Sequence, residues 1–132
     1  MPLLTLTIWP ALDDAGLQLA VARELSNHTE RLLGKQRSLT AVRIQAAPDA
    51  WFIGGEPLPG VRTFALDIRI TAGTNTEVEK SAWIAAAWDS LAKAIPGAVA
   101  PASYISIHEI EAGSWGYTGR TQAARRQEAV MA

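Results

Sequence analysis

Few residues of this 132-residue chain have a type and place suited to chemistry. Cysteine is absent, which excludes a thiol nucleophile, a disulfide scaffold and cysteine-ligated zinc. There is no HExxH, no Walker-type phosphate loop, no GxGxxG and no GxSxG. The only histidines, His28 and His108, fall on separate elements, and no local spacing of carboxylates suggests a metal site or a serine triad. Elimination leaves the amino terminus. Pro2 follows Met1, so loss of the initiator methionine would expose a secondary amine. An ordinary α-amino group titrates near 7.7–8.0, and burial or nearby guanidinium groups disfavour its protonated form. An amine left neutral at pH 7 can act as a general base. Met-Pro is also a common chain start without function, and the residues alone leave both readings open.

An amine at position 2 is useful only if the elements behind it hold it. Leu4-Thr5-Leu6-Thr7-Ile8-Trp9 alternates apolar and polar, the mark of a strand with one buried face. Pro10 ends it, and Asp13 and Asp14 supply a cap and early acids for a helix to about Leu33, where Gly34 stops it. Leu17, Val21, Leu25, His28 and Leu32 form its apolar stripe. Leu39 to Gln45 reads as a second strand with Leu39, Ala41, Arg43 and Gln45 on one face, followed by a Pro48-Asp49 turn and Trp51-Phe52-Ile53-Gly54-Gly55.

The pattern then repeats. Phe64 to Ile70 alternates like the first strand, Thr74-Asn75-Thr76 caps an alanine-rich helix to about Ala94, and Pro96-Gly97 stops it. Ser103 to Ile110 is a long alternating strand, with Gly113-Ser114-Trp115-Gly116-Tyr117-Thr118-Gly119 behind it. The chain reads as one domain, 1–132, with pseudo-repeats 2–58 and 61–119 joined by Pro57-Leu58-Pro59-Gly60, and a C-terminal arm, 120–132. Right-handed crossovers put both helices on one face of a four-stranded sheet, an α+β fold of two tandem βαβ units. Leucine, isoleucine and tryptophan on both parities of the strands predict an open face too apolar for a monomer, hence an oligomer closed around a shared centre. Trp83 and Trp88, five apart on a helix, cannot share one face.

Composition bounds the partners. With 48% hydrophobic and 19% charged residues the chain is globular, not disordered. Twelve basic residues against 13 acidic ones, a net charge of −1, argue against a nucleic-acid binder. No apolar run approaches the ~20 residues of a membrane helix, and Met1-Pro2-Leu3-Leu4 opens no signal peptide. A soluble cytoplasmic protein is expected.

Pro2 at the head of a strand, the two βαβ repeats and Leu39-Thr40-Ala41-Val42-Arg43-Ile44 together resemble the tautomerase superfamily typified by 4-oxalocrotonate tautomerase. The resemblance runs from Pro2 to about Arg126. Gly54-Gly55-Glu56 is similar to the short members. Asp67 to Thr71, Gly73-Thr74-Asn75-Thr76, and Ile107 through Gly119 are similar to longer members, which fuse two units and form trimers. The resemblance implies a cofactor-independent homotrimeric isomerase without metal. In it Pro2 is the general base for keto–enol proton transfer on a small enolisable carboxylate. It implies Arg43 as the carboxylate binder and Arg69 as the second, with Trp51, Phe52 and Tyr117 as pocket walls and His108 facing the pocket or the trimer centre.

The chain departs from the family in two loops. Pro10-Ala11-Leu12 lacks the arginine of the short tautomerases, and Thr71-Ala72-Gly73-Thr74-Asn75 lacks the arginine pair of the dehalogenating and decarboxylating relatives. Few pocket cations, and so low affinity for dianions, are expected. His28 is expected to be a packed, hydrogen-bonded side chain. The competing readings are a hydratase or dehalogenase of an unsaturated acid, with protonated Pro2 and Glu109 or His108 activating water, and a non-catalytic small-ligand-binding trimer.

Overall fold

The alternation of β1 (Leu3–Trp9) and β5 (Thr63–Thr71) places Leu4, Leu6 and Ile8 beside Phe64, Leu66, Ile68 and Ile70, all buried on one side of an antiparallel central pair. The computed structural model describes residues 1–47, 50–58 and 60–131; the expected Pro48-Asp49 turn, Pro59 of the linker and Ala132 lie outside them. β2 (Ala41–Ala46) joins β1 in parallel and β6 (Tyr104–Ile110) joins β5 in parallel, giving the order β2-β1-β5-β6. Leu6 faces Leu66, Leu3 faces Arg69 and Trp9 faces Thr63. A local two-fold through the Leu6–Leu66 pair therefore carries β1 onto β5 and Pro2 onto Arg62.

Helices α1 (Ala15–Leu33) and α2 (Glu77–Ala94) cover the buried face. Asp14 caps α1 by accepting from the Leu17 N–H at 3.0 Å. Gly34 ends it with φ 66°, a left-handed conformation that glycine adopts without Cβ strain. Thr76 and Glu79 form a reciprocal capping box on α2. The deeply buried stripe of α1 is Val21, Leu25, Thr29 and Leu33, so the expected stripe is corrected beyond Leu25. Thr29 takes the inner position because its hydroxyl is satisfied twice: it donates to the Leu25 carbonyl at 2.7 Å and accepts from Trp83 Nε1 at 3.1 Å. Trp83 is fully buried, while half-buried Trp88 tilts against Phe64 with ring centroids 5.3 Å apart.

The open face of the sheet corrects the expectation of an apolar surface. Thr5, Thr7, Arg43, Gln45, Asp67, Arg69, Ser106 and His108 share the parity opposite the buried residues. Its large apolar members, Leu3, Trp9, Tyr104 and Ile110, stand at strand ends, and that is what gave the sequence its two-parity look.

Each half ends in a short hairpin. β3 (Phe52–Ile53) pairs with β4 (Glu56–Pro57), and β7 (Gly116–Tyr117) with β8 (Arg120–Thr121). A Cβ at Gly116 would overlap the Arg120 carbonyl, so only glycine permits the second pairing. The segment expected as a C-terminal arm, 120–132, contains helix α3 (Gln122–Met131). The Gln122 and Ala123 N–H groups donate to the carbonyls of Trp115 and Ala112 at 2.9 and 2.8 Å, tying its start to the body of the chain.

Candidate active site

Pro2 is buried at the head of β1, and its carbonyl accepts from the Ala41 N–H at 3.1 Å, which fixes the chain start against β2. Met1 lies in a cavity of about 310 Å³, at the small end of the range for ligand sites. Three separate parts of the sequence build its walls. α1 runs back over the parallel crossover, so the residue after its Gly34 cap, Lys35, arrives beside the start of β1. Lys35 Nζ donates to Thr74 Oγ1 at 2.8 Å, and Thr74 in turn donates to the Thr71 carbonyl at 2.7 Å. Thr71, at the end of β5, accepts from Trp115 Nε1 at 3.2 Å. The β7–β8 hairpin supplies Tyr117, and α3 supplies Gln122, Arg125 and Arg126.

The Arg125 guanidinium lies over the Tyr117 ring, 3.8 Å from its centroid. Its Nη2 donates to the Tyr117 carbonyl at 3.0 Å and to the Thr118 hydroxyl. The lining contains the cations Lys35, Arg125 and Arg126 and, among the described residues, no acidic residue. Burial first, then the charges of Lys35 and Arg125, hold the amino-terminal nitrogen below its ordinary value of 8.0. Lys35 is itself held below the usual lysine range, by burial first and also by Arg126, with Glu79 opposing. The cavity therefore disfavours a protonated amine and favours a bound anion.

Of the residues singled out in the sequence, Tyr117 lines this cavity, while Pro2 is buried next to Met1, which lines it. Arg43 is exposed on the open face, where its Nη2 donates to Thr5 Oγ1 at 3.3 Å. Arg69 is exposed on the same face, between Leu3 of β1 and His108 of β6. His108 Nε2 lies 3.0 Å from Ser106 Oγ and 3.2 Å from Asp67 Oδ1, and Ser106 donates to Asp67 at 2.6 Å. Phe52 opens the β3–β4 hairpin, which follows β2 at the far end of β1, and is exposed; Trp51 stands just before it. His28 is packed as expected, with Nε2 2.7 Å from Ser90 Oγ on α2. Burial, then Arg31, hold it below the ordinary imidazole value.

Sequence reasoning missed Lys35, Gln122, Arg125 and Arg126. Lys35 was within reach of it, because a parallel crossover must return the chain to the start of β1. The α3 residues were not, because nothing in their local pattern says where that helix folds. Among the described residues, no group of three His, Asp or Glu could hold a metal, and no helix is long and apolar enough to cross a membrane.

No family model matches the chain, and no curated protein matches it. Solved structures do. A fused 4-OT asymmetric trimer matches at 20% identity with a TM-score of 0.78, covering 93% of this chain and 98% of its own. N1, a member of the cis-3-chloroacrylic acid dehalogenase family, matches at 18% identity and a TM-score of 0.75, covering 98% of this chain and 90% of its own. Pt0534, crystallised after inactivation by 2-oxo-3-pentynoate, matches at 16% identity and a TM-score of 0.78, covering 93% of this chain and 98% of its own. The chain has the α+β fold of the fused 4-OT tautomerase proteins over more than nine-tenths of its length.

Proposed function

We propose that this protein is a cofactor-independent, tautomerase-like isomerase of a small enolisable carboxylate, acting as a cytoplasmic homotrimer of one tandem-βαβ domain per chain. Removal of Met1, a lining residue of the cavity, would free the Pro2 nitrogen beside it. As general base it takes the proton of the substrate's enol hydroxyl and returns it to carbon, regenerating the free amine. The cations around it hold the carboxylate and stabilise the enolate charge. The observation that supports this reading is the Met1 amine, held below its ordinary value of 8.0 by burial first and then by Lys35 and Arg125, beside a cavity with three cations and, among the described residues, no acidic one in its lining. Three lining cations, more than the sequence led us to expect, support binding of dianions as well.

Arg43 and Arg69, exposed on the open face, would serve a neighbouring copy's cavity, a reading that the trimeric assemblies of the fused 4-OT proteins support. The hydratase or dehalogenase reading has less support: Glu109 is paired with Lys80 of α2 at 3.2 Å and His108 with Asp67, so neither activates water in this chain's cavity. The test is Pro2→Ala in protein shown by intact mass to lack Met1, assayed on phenylenolpyruvate and 2-hydroxymuconate. The expected loss is about 10²- to 10⁴-fold in kcat. Unchanged turnover returns the chain to a ligand-binding role.

A further inference from the structure

The chain has three lysines, and their surroundings differ in kind. Lys80 Nζ pairs with Glu109 at 3.2 Å and Lys93 Nζ with Asp89 at 2.9 Å. A carboxylate beside an ammonium keeps the nitrogen protonated, and Asp89 accordingly holds Lys93 above the usual lysine range. Lys35 has no carboxylate at ion-pair distance among the described residues. Its Nζ donates instead to the neutral Thr74 hydroxyl at 2.8 Å, and the residue stands half-buried in the cavity wall with Arg125 and Arg126. Burial first, with Arg126 adding and Glu79 opposing, holds it below the usual range, the reverse of Lys93. Thr74 gives its own proton to the Thr71 carbonyl at 2.7 Å, so toward Lys35 it only accepts. A neutral Lys35 amine therefore spends one N–H on Thr74 and keeps its lone pair unshared. The backbone beneath it is fixed from two sides. The Gly34 and Lys35 N–H groups donate to the Glu30 and Thr29 carbonyls at 3.1 and 3.3 Å, and Asn75 Nδ2 donates to the Leu33 carbonyl at 2.9 Å.

We propose that Lys35 is a carbonyl-trapping residue, whose amine forms a reversible imine with a small oxo-acid drawn into the cavity. The nitrogen adds to the carbonyl carbon while the π pair moves to oxygen. The carbinolamine then expels that oxygen as water, which carries off both amine protons and leaves a C=N bond, with no oxidant or reductant consumed. A partly buried lysine next to another cation is a setting in which the amine becomes a nucleophile, and the cationic lining favours a carbonyl compound that carries an acid group. Once protonated, the imine draws electrons from the bonds at the adjoining carbon. The cavity thereby gains a covalent route that needs neither removal of Met1 nor a free Pro2 nitrogen.

The experiment incubates the full-length protein with pyruvate and cyanoborohydride, which reduces an imine to a stable secondary amine. Intact mass and peptide mapping then locate the adducts. Lys80 and Lys93 serve as references within the same molecule. Lys35 should be labelled several-fold faster than either, and Lys35→Arg, checked for folding by circular dichroism, should lose that adduct alone. Acetone, which lacks the acid group, should show a weaker preference for Lys35. Equal labelling of the three lysines, adducts confined to the amino-terminal peptide, or an equal preference with acetone overturns the proposal. Should Lys35→Arg fail to fold, the wild-type map still decides it. This inference shares the cavity with the isomerase reading, and the two fail separately. Trapping at Lys35 without isomerisation defeats only the isomerase; isomerisation by a protein whose Lys35 stays unlabelled defeats only this assignment.

Discussion

Retaining Met1 is the sharpest perturbation of the proposed chemistry, because it changes one bond and leaves every other residue in place. With Met1 attached, the Pro2 nitrogen is an amide with no basic lone pair, and the titrating nitrogen belongs to Met1. That amine lies one residue further out, and consecutive Cα atoms are about 3.8 Å apart. Proton transfer requires a heavy-atom approach of about 2.6–3.2 Å, so a displacement of this size takes the base out of reach of a substrate anchored by Lys35 and α3. Met1 also lines the cavity that the substrate would fill. The full general-base contribution should be lost, about 10²- to 10⁴-fold in kcat, or about 3–5 kcal/mol at 1.36 kcal/mol per decade. The assay compares the processed chain with a form that keeps Met1, each verified by intact mass, on phenylenolpyruvate and 2-hydroxymuconate. Equal kcat for the two forms would refute the role of Pro2 outright.

Other perturbations read the surroundings of the same nitrogen and the core beneath it. Lys35→Met removes the larger of the two charges that disfavour the protonated amine, so the acid limb of the pH–rate profile should move to higher pH while substrate affinity falls. His28 is held below its ordinary value in the fold, so the unfolded chain takes up its proton first and stability falls as pH drops through about 6.5. His28→Gln should flatten that part of a stability–pH curve measured by urea unfolding. Thr29→Val strips Trp83 Nε1 of its acceptor inside the core and should cost about 1–3 kcal/mol, read as a lowered urea midpoint with activity retained per folded molecule.

The parts of the fold legible in the sequence were those written in local chemistry. Asp14, Gly34 and the Thr76–Glu79 box bound their helices because caps are satisfied within a few residues, and the alternation of β1 and β5 fixed which side chains went inward. The stripe of α1 was misread beyond Leu25 because spacing alone cannot separate Thr29 from His28; the partner that makes Thr29 an inner residue is Trp83, 54 positions away. The open face was misjudged because strand-end residues were weighed with strand centres. The site divides the same way. Tyr117, singled out through the family pattern, lines the cavity, whereas Arg125 and Gln122 join its lining only once α3 folds back against the hairpin, a non-local packing event.

The local two-fold sharpens the question of how many sites a chain carries. It places Arg62 where Pro2 stands, and the backbones agree: the Ala41 N–H donates to the Pro2 carbonyl at 3.1 Å and the Ala100 N–H to the Arg62 carbonyl at 2.8 Å. The chemistry does not agree. Arg62 is an internal residue whose N–H donates to the Ala98 carbonyl at 2.9 Å, so no processing can make its nitrogen basic. Its guanidinium is spent on the Pro10 and Ala11 carbonyls, at 2.7 and 3.2 Å, and holds the loop after β1. The cavity beside it, about 610 Å³, is walled by Ile53, Pro57, Leu58, Val61 and Val99, with Glu56 its charged residue, a lining that repels the anions the first cavity attracts. The two halves of one repeated pattern thus end in one amine and one clamp. Treatment of the processed protein with 2-oxo-3-pentynoate, the inactivator of the structural neighbour Pt0534, should add one adduct per chain, on the peptide that begins with Pro2. A second adduct near Arg62, or labelling that survives Pro2→Ala, would show that the two ends have not diverged in function.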